Sequence, residues 1–171
     1  MPDFFKFMDE AKLYPPFRAK AEQLVAALHA AKQDFYATAD GGLRTWAQQN
    51  ALYARGRDAR GNVVDRSKVV TWARAGFSPH NYGVACDFCH DADLSRAGLQ
   101  MDWTPRAYKP LAAAAGKLAL EAGYNWVKVD PPHVQLPLEA KGLTFATLKR
   151  AYEKNGGGLK AVWKLLDGYA W

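Results

Sequence analysis

His80 and Asp87 stand seven residues apart in Ser78-Pro79-His80-Asn81-Tyr82-Gly83-Val84-Ala85-Cys86-Asp87, a turn that runs into an apolar stretch. Val84, Cys86 and Phe88 alternate with Ala85, Asp87 and Cys89, so a strand here turns Asp87 away from the apolar set. If the turn folds His80 back over the start of the strand, imidazole and carboxylate meet at one point. The best third member is His133, in Asp130-Pro131-Pro132-His133-Val134-Gln135-Leu136. Two histidines and one carboxylate make a catalytic zinc set that leaves a position for water, whose pKa zinc lowers to about 7. A base is also required, and Asp130 lies three residues before His133. Taken from the residues alone, a plainer alternative stays open. Ligand spacing this long is not diagnostic, and two ordinary histidines with two turn aspartates would look the same.

The elements that must carry these residues can be outlined. Residues 17–32 read as an Ala-rich helix with Leu24, Val25 and Leu28 at helical spacing. Residues 35–39 read as a strand ended by Asp40-Gly41-Gly42. Residues 45–55 form a helix capped by Thr45, with Gln48 completing a capping box and Gly56 as the stop. Residues 57–72 are polar and predict a long loop that walls a substrate cleft. Further helices are predicted over 106–122, 143–155 and 159–169, and strands over 124–129 and 133–136. Gly156-Gly157-Gly158 reads as a hinge, and residues 3–14 and 90–100 as an apolar-patched and a polar segment. Helices packed on a small antiparallel sheet give an α+β fold.

Bulk properties narrow the partners. A chain of 171 residues, 49% apolar with six Trp, supports one domain with a substantial core. The formal net charge of +6 favours anionic partners, but no Lys/Arg block and no nucleic-acid fingerprint is present. A membrane face or the bacterial wall is left as an anionic partner. The first ten residues carry acids where a signal peptide needs basic residues, and they lack a continuous apolar core. The expectation is a protein made in the cytoplasm without a signal peptide.

The pattern S-x-H-x-x-G-x-A-x-D followed by D/E-x-x-H-x-Q resembles the zinc-dependent D-Ala-D-Ala carboxypeptidase and L-alanyl-D-glutamate endopeptidase family, peptidase M15. A third block, Leu43-Arg44-Thr45-Trp46-Ala47-Gln48-Gln49-Asn50-Ala51-Leu52-Tyr53-Ala54-Arg55-Gly56-Arg57, is similar to the family's "YRS…QNALYAQGR" stretch, typical of its endopeptidase branch and of phage endolysins. Thr45 stands where Ser is commoner. The resemblance implies a Hedgehog/DD-peptidase-like fold, zinc held by His80, Asp87 and His133, and peptidoglycan as substrate. It also implies cleavage of the L-alanyl-D-glutamate bond, with D-Ala-D-Ala carboxypeptidase activity as the alternative. Release to the wall by a phage holin, with bacteriolysis as the outcome, follows from it too. Many family members carry Glu where Asp130 stands.

Arg44 is expected to clamp a substrate carboxylate or the developing oxyanion, because a fixed guanidinium presents paired donors. Its plain alternative is a surface arginine beside a turn. Gln49 and Ser78 are expected at the substrate, Ser78 with a loop serine as its equal alternative. Cys86-Asp87-Phe88-Cys89-His90 matches a haem attachment pattern, which is rejected because strand alternation separates the thiols and Asp87 is already assigned. The catalytic domain is expected over 1–142, with 143–171 as a helical extension packed on it. Residues 159–169 are cationic and amphipathic, which suggests weak contact with membrane or wall beside the plainer role of core packing. A wall-binding module without catalysis is the second functional reading. A monomer is the default.

Overall fold

Two prolines open the first long helix. Pro15 and Pro16 need no helical hydrogen-bond acceptor at its first turn, and their fixed φ suits it. The computed structural model describes residues 6–93, 100–156 and 158–171. Helix α1 spans Lys6–Ala11, α2 Pro15–Ala30 and strand β1 Phe35–Ala37. Helix α3 spans Trp46–Ala54, β2 Ala85–Asp91, β3 Met101–Asp102 and α4 Lys109–Lys117. Strands β4 (Glu121–Ala122) and β5 (His133–Gln135) follow, then α5 (Phe145–Glu153) and α6 (Gly158–Leu166). The expected segments over 3–5, 94–99 and Gly157 fall outside the described residues.

The sheet is antiparallel, in the order β1-β2-β5-β4, with β3 also paired to β2. Its centre is β2, the longest strand, and Asp87 there is directly opposite His133 of β5. Register thus places two of the expected ligands side by side, at a Cβ separation of about 5 Å for such pairs. Phe17, Leu24 and Leu28 of α2, Leu111 of α4 and Val84, Cys86 and Phe88 of the β2 stretch bury together in one core. The architecture is the α+β fold expected.

Residues 143–171 join that core through Leu148, Val162 and Leu166. They also reach the His80 turn. Trp163 Nε1 donates to Tyr82 O at 2.8 Å, and Tyr14 N donates to Gly83 O at 2.7 Å. Gly83 closes that turn at φ +68°, a left-handed conformation that glycine adopts without cost. The short Pro79–Tyr82 helix is therefore held from α2 on one side and α6 on the other.

Two predicted elements differ. The helix expected to run to residue 122 stops at Lys117, because Ala119 turns into the left-handed region at φ +53°. Leu118, Ala119 and Leu120 close it with bonds to the carbonyls of Ala115 and Gly116. The strand expected at 124–129 is a turn and a loop, with Val127 and Val129 exposed. The free edge of β5 is already filled by Glu121–Ala122, so the β-branched run has no strand to pair with. The capping box is as expected: Gln48 N donates to Thr45 Oγ1, and Thr45 N donates to Gln48 Oε1 at 2.8 Å. Thr45→Ala is expected to cost about 1 kcal/mol, read as a lower midpoint in urea unfolding.

Both cysteines are free and buried in β2. Burial pushes the Cys86 thiol well up and Cys89 up to about 11. They are packing residues of opposite strand faces.

Candidate metal centre

His80, Asp87 and His133 converge. His133 Nδ1 lies 3.1 Å from Asp87 Oδ1, His80 Nε2 lies 3.4 Å from the same oxygen, and the two imidazole nitrogens are 3.2 Å apart. Both histidines are buried, while Asp87 keeps partial access to solvent. Among the described residues this is the group of His, Cys, Asp and Glu side chains placed to hold a metal ion.

The outer contacts decide where each imidazole carries its proton. Glu121 can only accept. Its Oε2 takes a hydrogen bond from Gln135 Nε2 at 3.0 Å, and its Oε1 takes one from Trp126 Nε1 at 2.6 Å. Gln135 must then turn its carbonyl oxygen to His133 Nε2, 2.9 Å away, so that nitrogen carries the proton. In the same way His80 Nδ1 donates to Gly42 O at 3.0 Å. What remains facing inward is His80 Nε2, His133 Nδ1 and Asp87 Oδ1: three lone pairs crowded together. Such a set repels itself unless a cation sits among it. Two imidazoles and a carboxylate, with one side toward a cleft, fit zinc.

A proton can substitute for the metal. Burial opposes charging His133, but the hydrogen bond and charge of Asp87 outweigh it and raise the imidazole above its usual value. Burial likewise works to raise Asp87, and the facing histidines overcome it, so the carboxyl lies well below the usual carboxylate range. Because the raised pKa keeps His133 protonated to higher pH, zinc must displace that proton. Uptake near pH 6.5 is expected to release about one proton per ion, measured by calorimetry in two buffers of different ionisation enthalpy. Equal heats in both buffers would contradict the assignment.

The neighbouring backbone makes the convergence possible. Gly41 approaches Asp87 so closely that an added Cβ would lie 2.8 Å from Asp87 O. Asp87 N donates to Gly41 O at 3.0 Å, and Gly42 offers its carbonyl to His80. Gly123 stands in the same relation to the other arm, where a Cβ would come 2.5 Å from Asp130 O and 3.1 Å from His133 Cβ. His133 N donates to Asp130 O at 3.2 Å, so Asp130 and His133 share one turn.

Asp130 as a whole residue is exposed, yet its carboxyl is partly desolvated, which raises its pKa. The charges of His133, His80 and Arg44 pull that value down and that of Asp87 pushes it up, so the carboxyl lies within electrostatic reach of the cluster. Arg44 is there too. Its Nη2 is 3.7 Å from Asp87 Oδ2, and its backbone N donates to His80 O at 2.9 Å.

Gln49, expected at the substrate, is fully buried instead. Its Oε1 accepts from Arg44 Nη1 at 3.1 Å and its Nε2 donates to Ala73 O at 2.7 Å. It orients Arg44, and no surface of it is left for substrate. Ser78 is buried and accepts a hydrogen bond from Asn81 N through its carbonyl.

Sequence reasoning assigned no role to Asn81, Gln135, Glu121 and Trp126. Asn81 joins Arg44 O to Gly76 N by its side chain. Gln135 had a usable signal: it is two residues after His133, hence on the same strand face. Gln135→Leu is expected to lower zinc affinity about 10- to 100-fold, because it frees His133 to rotate and change tautomer. Competition with a chromophoric chelator reads this.

Two clefts adjoin the site, one at Asp87 and one at Arg44, and share Ala39 and Asp40 in their walls. One of about 430 Å³ is lined by Thr38, Asp87, Cys89, Met101, Trp103 and Pro132. The other, about 730 Å³, is lined by Lys12, Asp40, Arg44, Gln48, Leu52 and Arg55. The 57–72 loop, expected as a cleft wall, lines neither and lies behind Arg44, to which Thr71 is joined through Gln49.

Residues 10–134 match the family described as VanY, D-alanyl-D-alanine carboxypeptidase. Over 135 residues the chain is 32% identical to the peptidoglycan L-alanyl-D-glutamate endopeptidase CwlK of Bacillus subtilis (strain 168), covering 72% of this chain and 73% of CwlK. Its fold is similar to the crystal structure of the L-Ala D-Glu endopeptidase ChiX of Serratia marcescens. There the TM-score is 0.55 over 82% of this chain and 93% of that one, at 21% identity.

Proposed function

We propose, because the chain belongs to the VanY D-alanyl-D-alanine carboxypeptidase family, that it is a zinc peptidase cutting the stem peptides of bacterial peptidoglycan. The observation that carries this reading is the inward-facing lone-pair triad of His80, Asp87 and His133, with a carboxylate and a guanidinium beside it. Zinc bound there supplies a Lewis acid and water of lowered pKa.

The chain's own residues do the rest. Asp130 takes the proton of the attacking water and returns it to the leaving amine nitrogen. Arg44 donates to the oxygen on which negative charge develops. Gln49 and Asp87 hold the guanidinium in place for that task, so little of its freedom remains to be lost. The outward protons on His80 and His133 keep both rings fixed.

The bond we propose is L-alanyl-D-glutamate. CwlK supports it by sequence, and the two clefts support it by shape. One opens beside Asp87 and the other beside Arg44, so a chain can continue on both sides of the scissile bond. A carboxypeptidase needs room for a single terminal residue on one side. Mass analysis of digested muropeptides tests the choice. New N-terminal D-glutamate supports the endopeptidase, whereas free D-alanine would replace it with the carboxypeptidase. The lytic role belongs to the same proposal, with loss of turbidity of permeabilised cells as its measure.

A further inference from the structure

Behind Arg44, the loop over residues 57–74 and helix α3 build a stack of alternating cations and rings. Arg74 lies 5.0 Å from the centre of the Tyr53 ring, and Arg57 lies 4.0 Å from the same centre. Arg57 is also 5.0 Å from the centre of Trp72. Lys128 at 5.2 Å and Arg66 at 5.8 Å then face Trp72. Four cations meet two rings, and among the described residues none of the four is within ion-pair distance of a carboxylate.

Acids are near in sequence but occupied. Asp58 accepts from the backbone N of Arg60 and Asn62 and from Asn62 Nδ2, and Asp65 pairs with Lys68 at 2.8 Å. The Tyr53 phenol is held below its usual pKa by the Arg74 hydrogen bond and by the charges of Arg74 and Arg57, as an uncompensated positive field requires.

Part of this stack is architectural. Arg57 spends its guanidinium on the carbonyls of Tyr53 and Thr71. Its outer end is not. Trp72 leaves 54% of its surface exposed, and Arg66 and Lys128 lie exposed over it with their donors unspent on protein acceptors among the described residues. A cation held against an exposed ring offers a flat apolar face and a charge at one place. Sugar rings with carboxylates hung at intervals offer the complement.

The position is also informative. Thr71 and Ala73, on either side of Trp72, are bonded to Gln49, which holds Arg44. Lys128 belongs to the loop that ends at Asp130. The platform is therefore tied to both arms of the site.

We propose that Trp72, Arg66 and Lys128 form a docking surface for the carboxylate-bearing glycan-peptide strands of peptidoglycan, outside the cleft that cuts them. This rests on the peptidase reading above for the identity of the polymer.

The test uses the intact protein and two variants, Arg66→Gln/Lys128→Gln and Trp72→Ala, with folding checked by thermal unfolding. Co-sedimentation on ice uses sacculi stripped of teichoic acid, unstripped walls, and vesicles containing phosphatidylglycerol. The charge variant is expected to bind stripped sacculi about five- to tenfold more weakly at low salt, with the difference closing above ~0.5 M salt. Its KM on sacculi should rise by the same factor with kcat unchanged, and its cleavage of a short soluble muropeptide should equal wild type. Trp72→Ala should lose binding that salt does not modulate.

Wild-type affinity of the charge variant for stripped sacculi overturns the proposal. So does a loss confined to unstripped walls or to vesicles, which would assign the surface to teichoic acid or to lipid. If the wild type cuts no stem peptide but the variants still bind stripped sacculi more weakly, the surface stands and the peptidase reading falls.

Discussion

Asp87→Ala is expected to abolish zinc binding and peptidase activity together while leaving the fold in place. Asp87 supplies the one anion among the three inward donors, and both histidines are arranged around its Oδ1. Without it two neutral imidazoles remain, a poorer set for a divalent cation. Activity should fall on the order of 10³-fold or more, since losing one electrostatic donor at a transition state costs about 10²- to 10³-fold. Stability separates this from simple unfolding. Zinc at 100 times its dissociation constant stabilises the wild type by about 2.7 kcal/mol, a rise of roughly 5 to 10 °C in midpoint for a chain this long. The variant should melt at one temperature with or without zinc. A variant that keeps stoichiometric zinc and wild-type turnover would remove Asp87 from the centre.

Asp130→Asn should behave differently. It keeps the turn, because the bonds from His133 N and to Gly123 O are made by the backbone. The amide cannot take a proton from water, so kcat should drop about 10²- to 10⁴-fold, the range for a positioned general base. Zinc content should stay that of wild type. Together the two variants divide the site: one loses metal and chemistry, the other chemistry alone. Zinc analysis beside steady-state rates on a purified muropeptide measures both. An Asp130→Asn enzyme with unchanged kcat would mean the proton goes elsewhere.

The three metal-binding candidates could be named from the chain because their neighbours are locally ordered and because their motifs resemble those of a known family. Pro79 and Gly83 bracket the His80 turn, β alternation presents Asp87, and Pro132 stiffens the approach to His133. The Thr45–Gln48 capping box was legible for the same reason, as both halves lie within one helical turn. The Glu121–Ala122 strand was not. Its two residues have no pattern of their own and are a strand only because β5 offers an edge. Nor could Gln49 be placed. Only the arrival of Ala73 and Thr71, from 22 and more residues away, buries its amide and turns it from a substrate contact into a support for Arg44.

By itself, then, the sequence named the candidates for holding a metal, moving a proton or clamping an anion, and placed Asp87 and His133 on strands and the others at turns. Those are properties of residue type and of contacts a few positions apart. Tertiary structure alone decided which nitrogen of each histidine faces inward. For His133 that choice passes from Trp126 through Glu121 and Gln135, and for His80 it rests with the carbonyl of Gly42. Hydrogen-bond direction is set by the partner that folding brings, and a chain read in order does not contain that partner.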